Sequence, residues 1–261
     1  MFSRLNSNNF QREEGEMFFE IYEIWRKAQV LSSRQIRWKS FLSAELQSRL
    51  QSDKGAQNQF EAECNEKIRV QSVLEHIYSF TIFLSWAIKK IRPYSELNET
   101  LLLNACLVHD WGEIVLEREV DAPKKVLSDD LDEYLAFKRD FGELDPEEFA
   151  EFQKAFLLQF AFSESAELFP PEEQEIFKIL RESCATEARF FAVMEKIDYV
   201  MFGYEQLIER GNPAILKALL LRDVPAIESG VDDIRGFRQT VWTLEIPRAI
   251  MDSLKSFNEK N

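Results

Sequence analysis

The sequence predicts an all-α protein with further helices at both termini. Three observations carry the fold class. Gly and Pro are sparse, eight of each in 261 residues. Apolar residues recur at the i, i+3, i+4 spacing of a helix in segment after segment. Strand-like alternation of polar and apolar residues is weak throughout. Hydrophobic residues make up 45% of the chain and include 22 phenylalanines, enough to bury a sizeable core.

Residues 14–51 read as one or two helices. Phe18, Ile21, Ile24 and Trp25 form one apolar stripe, and Leu42, Leu46 and Leu50 another. The polar stretch QSDKGAQNQ, 51–59, is a connector. Residues 67–91 place Val70, Val73, Leu74, Ile77, Phe80, Phe83, Leu84, Ala87 and Ile88 on a long, deeply buried helix. Pro93 ends it, and Ser95 is a suitable cap for the next helix, 97–109, which is apolar on nearly all sides and therefore central. A loop at 121–133 leads into a further helix. Pro146, and later Pro170 with Pro171, mark helix starts. Residues 185–209 form another long helix, stopped at Gly211-Asn212-Pro213, and the C-terminal stretch holds two or three more. There is no internal repeat. The organisation reads as an N-terminal helical extension over 1–60, a core domain over 61–215, and C-terminal helices over 216–261 packing on that core.

The charge balance excludes some partners. Asp and Glu number 46 against 32 Lys and Arg, a net charge of −14. Such a surface repels phosphate backbones, so a nucleic-acid polymer is not the expected partner. A small phosphorylated ligand is compatible, because a few cations or a metal ion reverse the field inside one pocket. Cys64, Cys106 and Cys184 are odd in number and widely spaced, as free thiols in a reducing compartment would be. The N-terminus lacks the basic-then-apolar layout of a signal peptide. No apolar run reaches the ~18 residues of a membrane span. A cytoplasmic protein that does not enter membranes is expected.

The chemistry centres on LLLNACLVHDWGEIV, 101–115. The chain holds only two histidines, His76 and His109, and both lie on strongly apolar helices. A lone buried histidine is more often a satisfied core residue than a ligand. Here each has acids beside it: Glu75 next to His76, and Asp110 and Glu113 next to His109. Imidazole and carboxylate suit a divalent transition metal, and two histidines on neighbouring helices plus one carboxylate leave positions open for water. Trp111, inside the same motif, suits either a nucleobase platform or the core.

RVQSVLEH, 69–76, followed by HDWGE at 109–113 resembles the HD-domain metal-dependent phosphohydrolases, nearest the bacterial 5′-deoxynucleotidase branch. TEARFFAVMEKIDYV, 186–200, stands where that branch carries a later helix leading to an Asp. The resemblance covers about 65–210 and implies roles. His76, His109 and Asp110 would bind one divalent metal ion, drawn from Mn, Co, Zn, Fe, Ni and Mg. A fourth ligand would come from 186–200: counting along the motif reaches Glu195, and Asp198 lies one turn on along the same face. Glu113 would orient the attacking water. Arg69 would contact the substrate phosphate, as would Lys124 or Lys125. Where the branch carries a Gly-Asp after the motif, this chain reads EREVDAP, 117–123, with Glu117, Glu119 and Asp121 as substitutes and Glu119 the best placed.

Two-metal HD enzymes need further histidines, which this chain does not have, so a mononuclear site is expected. The expected activity is hydrolysis of a nucleoside 5′-monophosphate or a similar small phosphoester. The alternative is a catalytically weak or inactive metal- or nucleotide-binding regulatory protein, motivated by Glu195 and by the missing Gly-Asp. Guanosine tetraphosphate hydrolysis ranks lower, because Glu113 is followed by Ile114 and not by Asp. A homodimer is compatible with the resemblance.

Overall fold

Ser72 starts the first helix of the described residues. Its hydroxyl accepts the Glu75 N–H at 3.0 Å, and the Glu75 carboxylate takes the Ser72 N–H at 2.8 Å, a reciprocal capping box. The structure is a computed structural model that describes residues 71–116, 126–142 and 144–260. The expected extension over 1–60 lies outside the described residues. Helix α1 (Val73–Ile91) begins later than the periodicity suggested, because Ser72 is extended and caps it. His76 therefore stands in the first turn of α1 and not at its middle.

Helix α2 (Glu99–Val108) is capped by Asn98, whose side chain accepts the Leu101 N–H at 3.0 Å. Ser95, the expected cap, is used in the turn that ends α1: its N–H bonds Ile91 O at 3.1 Å. After His109 and Asp110 the chain enters the short α3 (Trp111–Leu116). Helix α4 (Leu127–Phe141) follows. Helix α5 (Pro146–Leu157) starts with Asp145 accepting the Glu147 N–H at 2.9 Å and Pro146 in the first turn. Two 3₁₀ turns, Leu158–Phe160 and Glu164–Leu168, lead to α6 (Pro171–Ser183).

Helix α7 (Ala185–Arg210) is the central element. Phe190, Phe191, Met194, Val200, Met201 and Phe202 along it have no exposure. It stops at Gly211, which adopts φ 62° and closes the helix through its N–H to Leu207 O at 3.1 Å, with Asn212 N–H to Gln206 O at 3.0 Å. Helix α8 (Ala214–Val231) packs back along α7, so the domain boundary expected at 215/216 falls inside its first turn. Pro225 lies within α8 and cannot donate to the Leu221 carbonyl. Helices α9 (Phe237–Thr240) and α10 (Glu245–Lys260) complete the order.

All described helices are α or 3₁₀, with no strand among the described residues, as the sequence predicts. One core runs from Phe80 on α1 to Ile246, Ile250 and Leu254 on α10. Tyr134, Phe137, Phe156 and Phe169 stack and tilt against one another at ring separations of 4.4–6.4 Å between α4, α5 and the segment before α6. No described helix is long and apolar enough to cross a membrane.

Candidate metal centre

Three elements converge on one point. Helix α1 brings His76, the C-terminal end of α2 brings His109 and the adjoining Asp110, and α7 passes behind them. His109 is held from two sides: its backbone N–H bonds Ala105 O at 2.9 Å, and Gln159 Nε2 donates to its carbonyl at 2.9 Å. His76, His109 and Asp110 are all buried, at 0%, 1% and 5% exposure. Such burial of polar groups is costly unless they are matched to partners.

The ring nitrogens fix what these groups present. His109 Nδ1 lies 2.9 Å from the Cys106 carbonyl, which can only accept, so Nδ1 carries a proton and Nε2 is left for a lone pair or a further, shared proton. His76 Nδ1 lies 2.9 Å from the Asp198 carboxylate, so the same holds there. The two Nε2 atoms face each other at 3.1 Å. Asp110 completes the triangle, with Oδ1 3.4 Å from His109 Nε2 and Oδ2 3.5 Å from His76 Nε2. Acceptor atoms this close repel unless they share a positive charge, a proton or a metal ion.

The spacing is compatible with a metal ion. Bonds of about 2.1 Å from a first-row divalent ion put neighbouring ligand atoms about 3.0 Å apart in an octahedron and about 3.4 Å apart in a tetrahedron. The 3.1 Å between the two Nε2 atoms, and the 3.4 and 3.5 Å from them to the Oδ1 and Oδ2 of Asp110, lie in this range. Two imidazoles and one carboxylate suit Zn, Mn, Fe, Co or Ni better than Ca, which prefers all-oxygen sites. The residues therefore fit a single transition-metal ion. Among the described residues, the group able to hold a metal consists of His76, His109 and Asp110.

Neither residue expected as a fourth ligand stands in that group. Asp198, with no exposure, sits on the far nitrogen of His76. Glu195 accepts a hydrogen bond from the Tyr199 hydroxyl at 2.7 Å. Burial pushes the Glu195 carboxyl up, but the charges of His109 and Lys196 and the Tyr199 hydroxyl outweigh burial and Asp110 and hold it below its ordinary value. Glu195 thus stands within electrostatic reach of the centre as an ionised carboxylate.

The surroundings are dry on one side. His76 stacks on Phe80 at 5.6 Å and 6°, and His109 meets Phe80 and Phe191 edge-on at 5.6 and 5.5 Å. Burial pushes the neighbouring Cys106 thiol well above its ordinary value, so it stays protonated and is not a competing thiolate. Glu113 is buried on the first turn of α3, three residues after Asp110. Trp111 packs edge-on against Phe141 at 5.2 Å and points its indole N–H toward Asp140 at 3.4 Å, so its ring fastens α3 to α4.

Gly112 is the supporting residue that sequence reasoning missed. A Cβ there would lie 2.3 Å from the Glu133 carbonyl oxygen of α4. Its glycine lets α3 lie directly on the α4 backbone and so fixes Asp110 and Glu113. The sequence signal, a Gly between two motif residues, was available but had no visible partner. Arg69, Lys124, Lys125, Glu117, Glu119 and Asp121 lie outside the described residues. Comparison of the chain with protein-family models, with curated proteins and with solved structures finds no match.

Proposed function

We propose that the protein is a metal-dependent phosphohydrolase acting on a nucleoside 5′-monophosphate or a similar small phosphoester. The observation that carries this reading is the convergence of His76 Nε2, His109 Nε2 and an Asp110 carboxylate at 3.1–3.5 Å, each imidazole having its Nδ1 committed elsewhere. The motif resemblance over 69–113 supports the hydrolytic class.

When bound, a divalent ion supplies an acidified water and positive charge beside the phosphate oxygens. The protein's own residues do the rest. His76, His109 and Asp110 hold the ion and leave part of its surface open. Glu113 is the buried carboxylate one turn from Asp110 and takes the role of proton acceptor. Phe80 and Phe191 keep bulk water from the imidazole side, which strengthens every charge interaction inside. Arg69, and Lys124 or Lys125, are assigned to the substrate phosphate, since the fork of an arginine matches two phosphate oxygens. Glu119 is assigned to protonate the leaving nucleoside.

Phosphate release from a panel of nucleoside 5′-monophosphates, with Mn, Co or Mg added, tests the proposal. The wild type should turn over at least one member and His109→Ala should fall to background. Equal activity in the two proteins contradicts it. A second reading, a metal- or nucleotide-binding regulator without turnover, is favoured by one observation: Glu195 is held by Tyr199 and lies outside the tight group of three. Metal uptake with no phosphate release across the panel would select it.

A further inference from the structure

We infer that Asp198 is a positioning residue that locks the His76 tautomer and not a metal ligand. The inference rests on the metal-centre reading, but it concerns a proton in the protein itself. Asp198 Oδ2 is 2.9 Å from His76 Nδ1, and both side chains have no exposure. The two nitrogens of an imidazole point their lone pairs away from each other. A carboxylate on Nδ1 is therefore on the opposite side of the ring from anything bound at Nε2.

The chain uses two different acceptors for one purpose. On α2 the Cys106 carbonyl takes the His109 Nδ1 proton. On α1 the His76 Nδ1 faces a side chain instead, while its backbone N–H bonds Ser72 O and its carbonyl accepts from Ser79 Oγ. Helix α7 supplies that acceptor as Asp198. The result is a pair of rings of the same tautomer, Nε2 facing Nε2 at 3.1 Å. A carboxylate in that place also makes the imidazole a stronger donor to a cation.

The chain's having only two histidines makes the test direct. Metal-free protein labelled with ¹⁵N in histidine gives two ring spin systems by long-range proton–nitrogen correlation, assigned with His109→Ala. Both rings should carry a proton on Nδ1, whether or not the two Nε2 atoms share another. In Asp198→Asn the charge is gone and His76 should move to the Nε2–H form, as happens when the carboxylate of a catalytic triad is replaced by an amide. Calorimetric titration with Mn²⁺ or Zn²⁺ should then show the same one-to-one stoichiometry at an affinity about 10- to 100-fold weaker. A wild-type His76 with a bare Nδ1 overturns the inference, and that spectrum decides even if the variant does not fold. An unchanged His76 tautomer in a folded Asp198→Asn, or complete loss of its site, overturns it as well. Two Nδ1–H rings without metal uptake by the wild type would leave the tautomer lock standing and remove the hydrolase reading.

Discussion

At the scale of single residues, buried charges need named partners. Tyr134, with no exposure, donates its hydroxyl to Glu173 and accepts from Gln153 Nε2 at 2.7 Å, while Lys138 Nζ holds the same Glu173 oxygen at 2.8 Å. Burial pushes the Tyr134 phenol far above its ordinary value, so it remains a donor at every working pH. Tyr134→Phe keeps the ring and leaves the buried Glu173 short of a donor. Urea unfolding should report a loss of about 1–3 kcal/mol; a neutral result would mean that Lys138 alone satisfies the carboxylate.

Asp223, almost fully buried on α8, is the opposite case. Burial pushes its carboxyl up, and the Arg222 guanidinium, bonded to it at 2.7 and 2.9 Å, only partly reverses this. The folded pKa thus exceeds the unfolded one. Its stabilising contribution is complete below the unfolded value of about 3.9 and is lost as pH rises through the folded value. Asp223→Asn should therefore gain stability relative to wild type as pH rises from about 4 toward neutrality, read from urea midpoints. A pH-independent difference would contradict the shift. At this scale the sequence was informative where residues are rare. Two histidines and one adjoining Asp were enough to locate the group that could hold a metal ion. It could not say which nitrogen of His76 meets Asp198, because helical spacing places Glu195 and Asp198 on one face without fixing what faces them.

At the scale of elements, caps and close approaches decide the outcome. The Ser72–Glu75 box was present in SVLE but was masked by apolar periodicity that continues N-terminal to it. Ser95 and Asn98 are both competent caps, and the turn after α1 consumes the first, leaving Asn98 to start α2. The short α3 has too few residues to show a period, and its seat on α4 depends on Gly112 meeting the Glu133 backbone, a contact invisible before the chain folds. Gly112→Ala forces these helices apart. It should cost about 1–3 kcal/mol of stability and reduce turnover through the displaced Glu113. A variant of wild-type stability, measured by thermal unfolding, would show that α3 has room to shift.

At the scale of the molecule, the all-α class followed from sparse Gly and Pro and from helical periodicity, both of which survive any error in element boundaries. The single core from Phe80 to Leu254 follows from the long α7, whose buried residues lie on several faces and so need neighbours on several sides. The net charge of −14 also acts at this scale. It repels an anionic substrate until salt screens it, and the screening length falls from about 30 Å at 0.01 M to about 8 Å at 0.15 M ionic strength. For a nucleoside monophosphate, kcat/KM should therefore rise over that range. A fall would place a local cationic funnel in control of substrate entry.

The most direct test of the central claim is elemental analysis of the purified protein and its His109→Ala variant, side by side, after reconstitution with Mn, Co or Zn. The convergent Nε2 atoms and the Asp110 carboxylate predict about one transition-metal ion per chain in the wild type, by the four-or-more coordination such a set leaves open, and none in the variant. No metal in either protein would contradict the claim and make His76 and His109 a proton-sharing pair in the core.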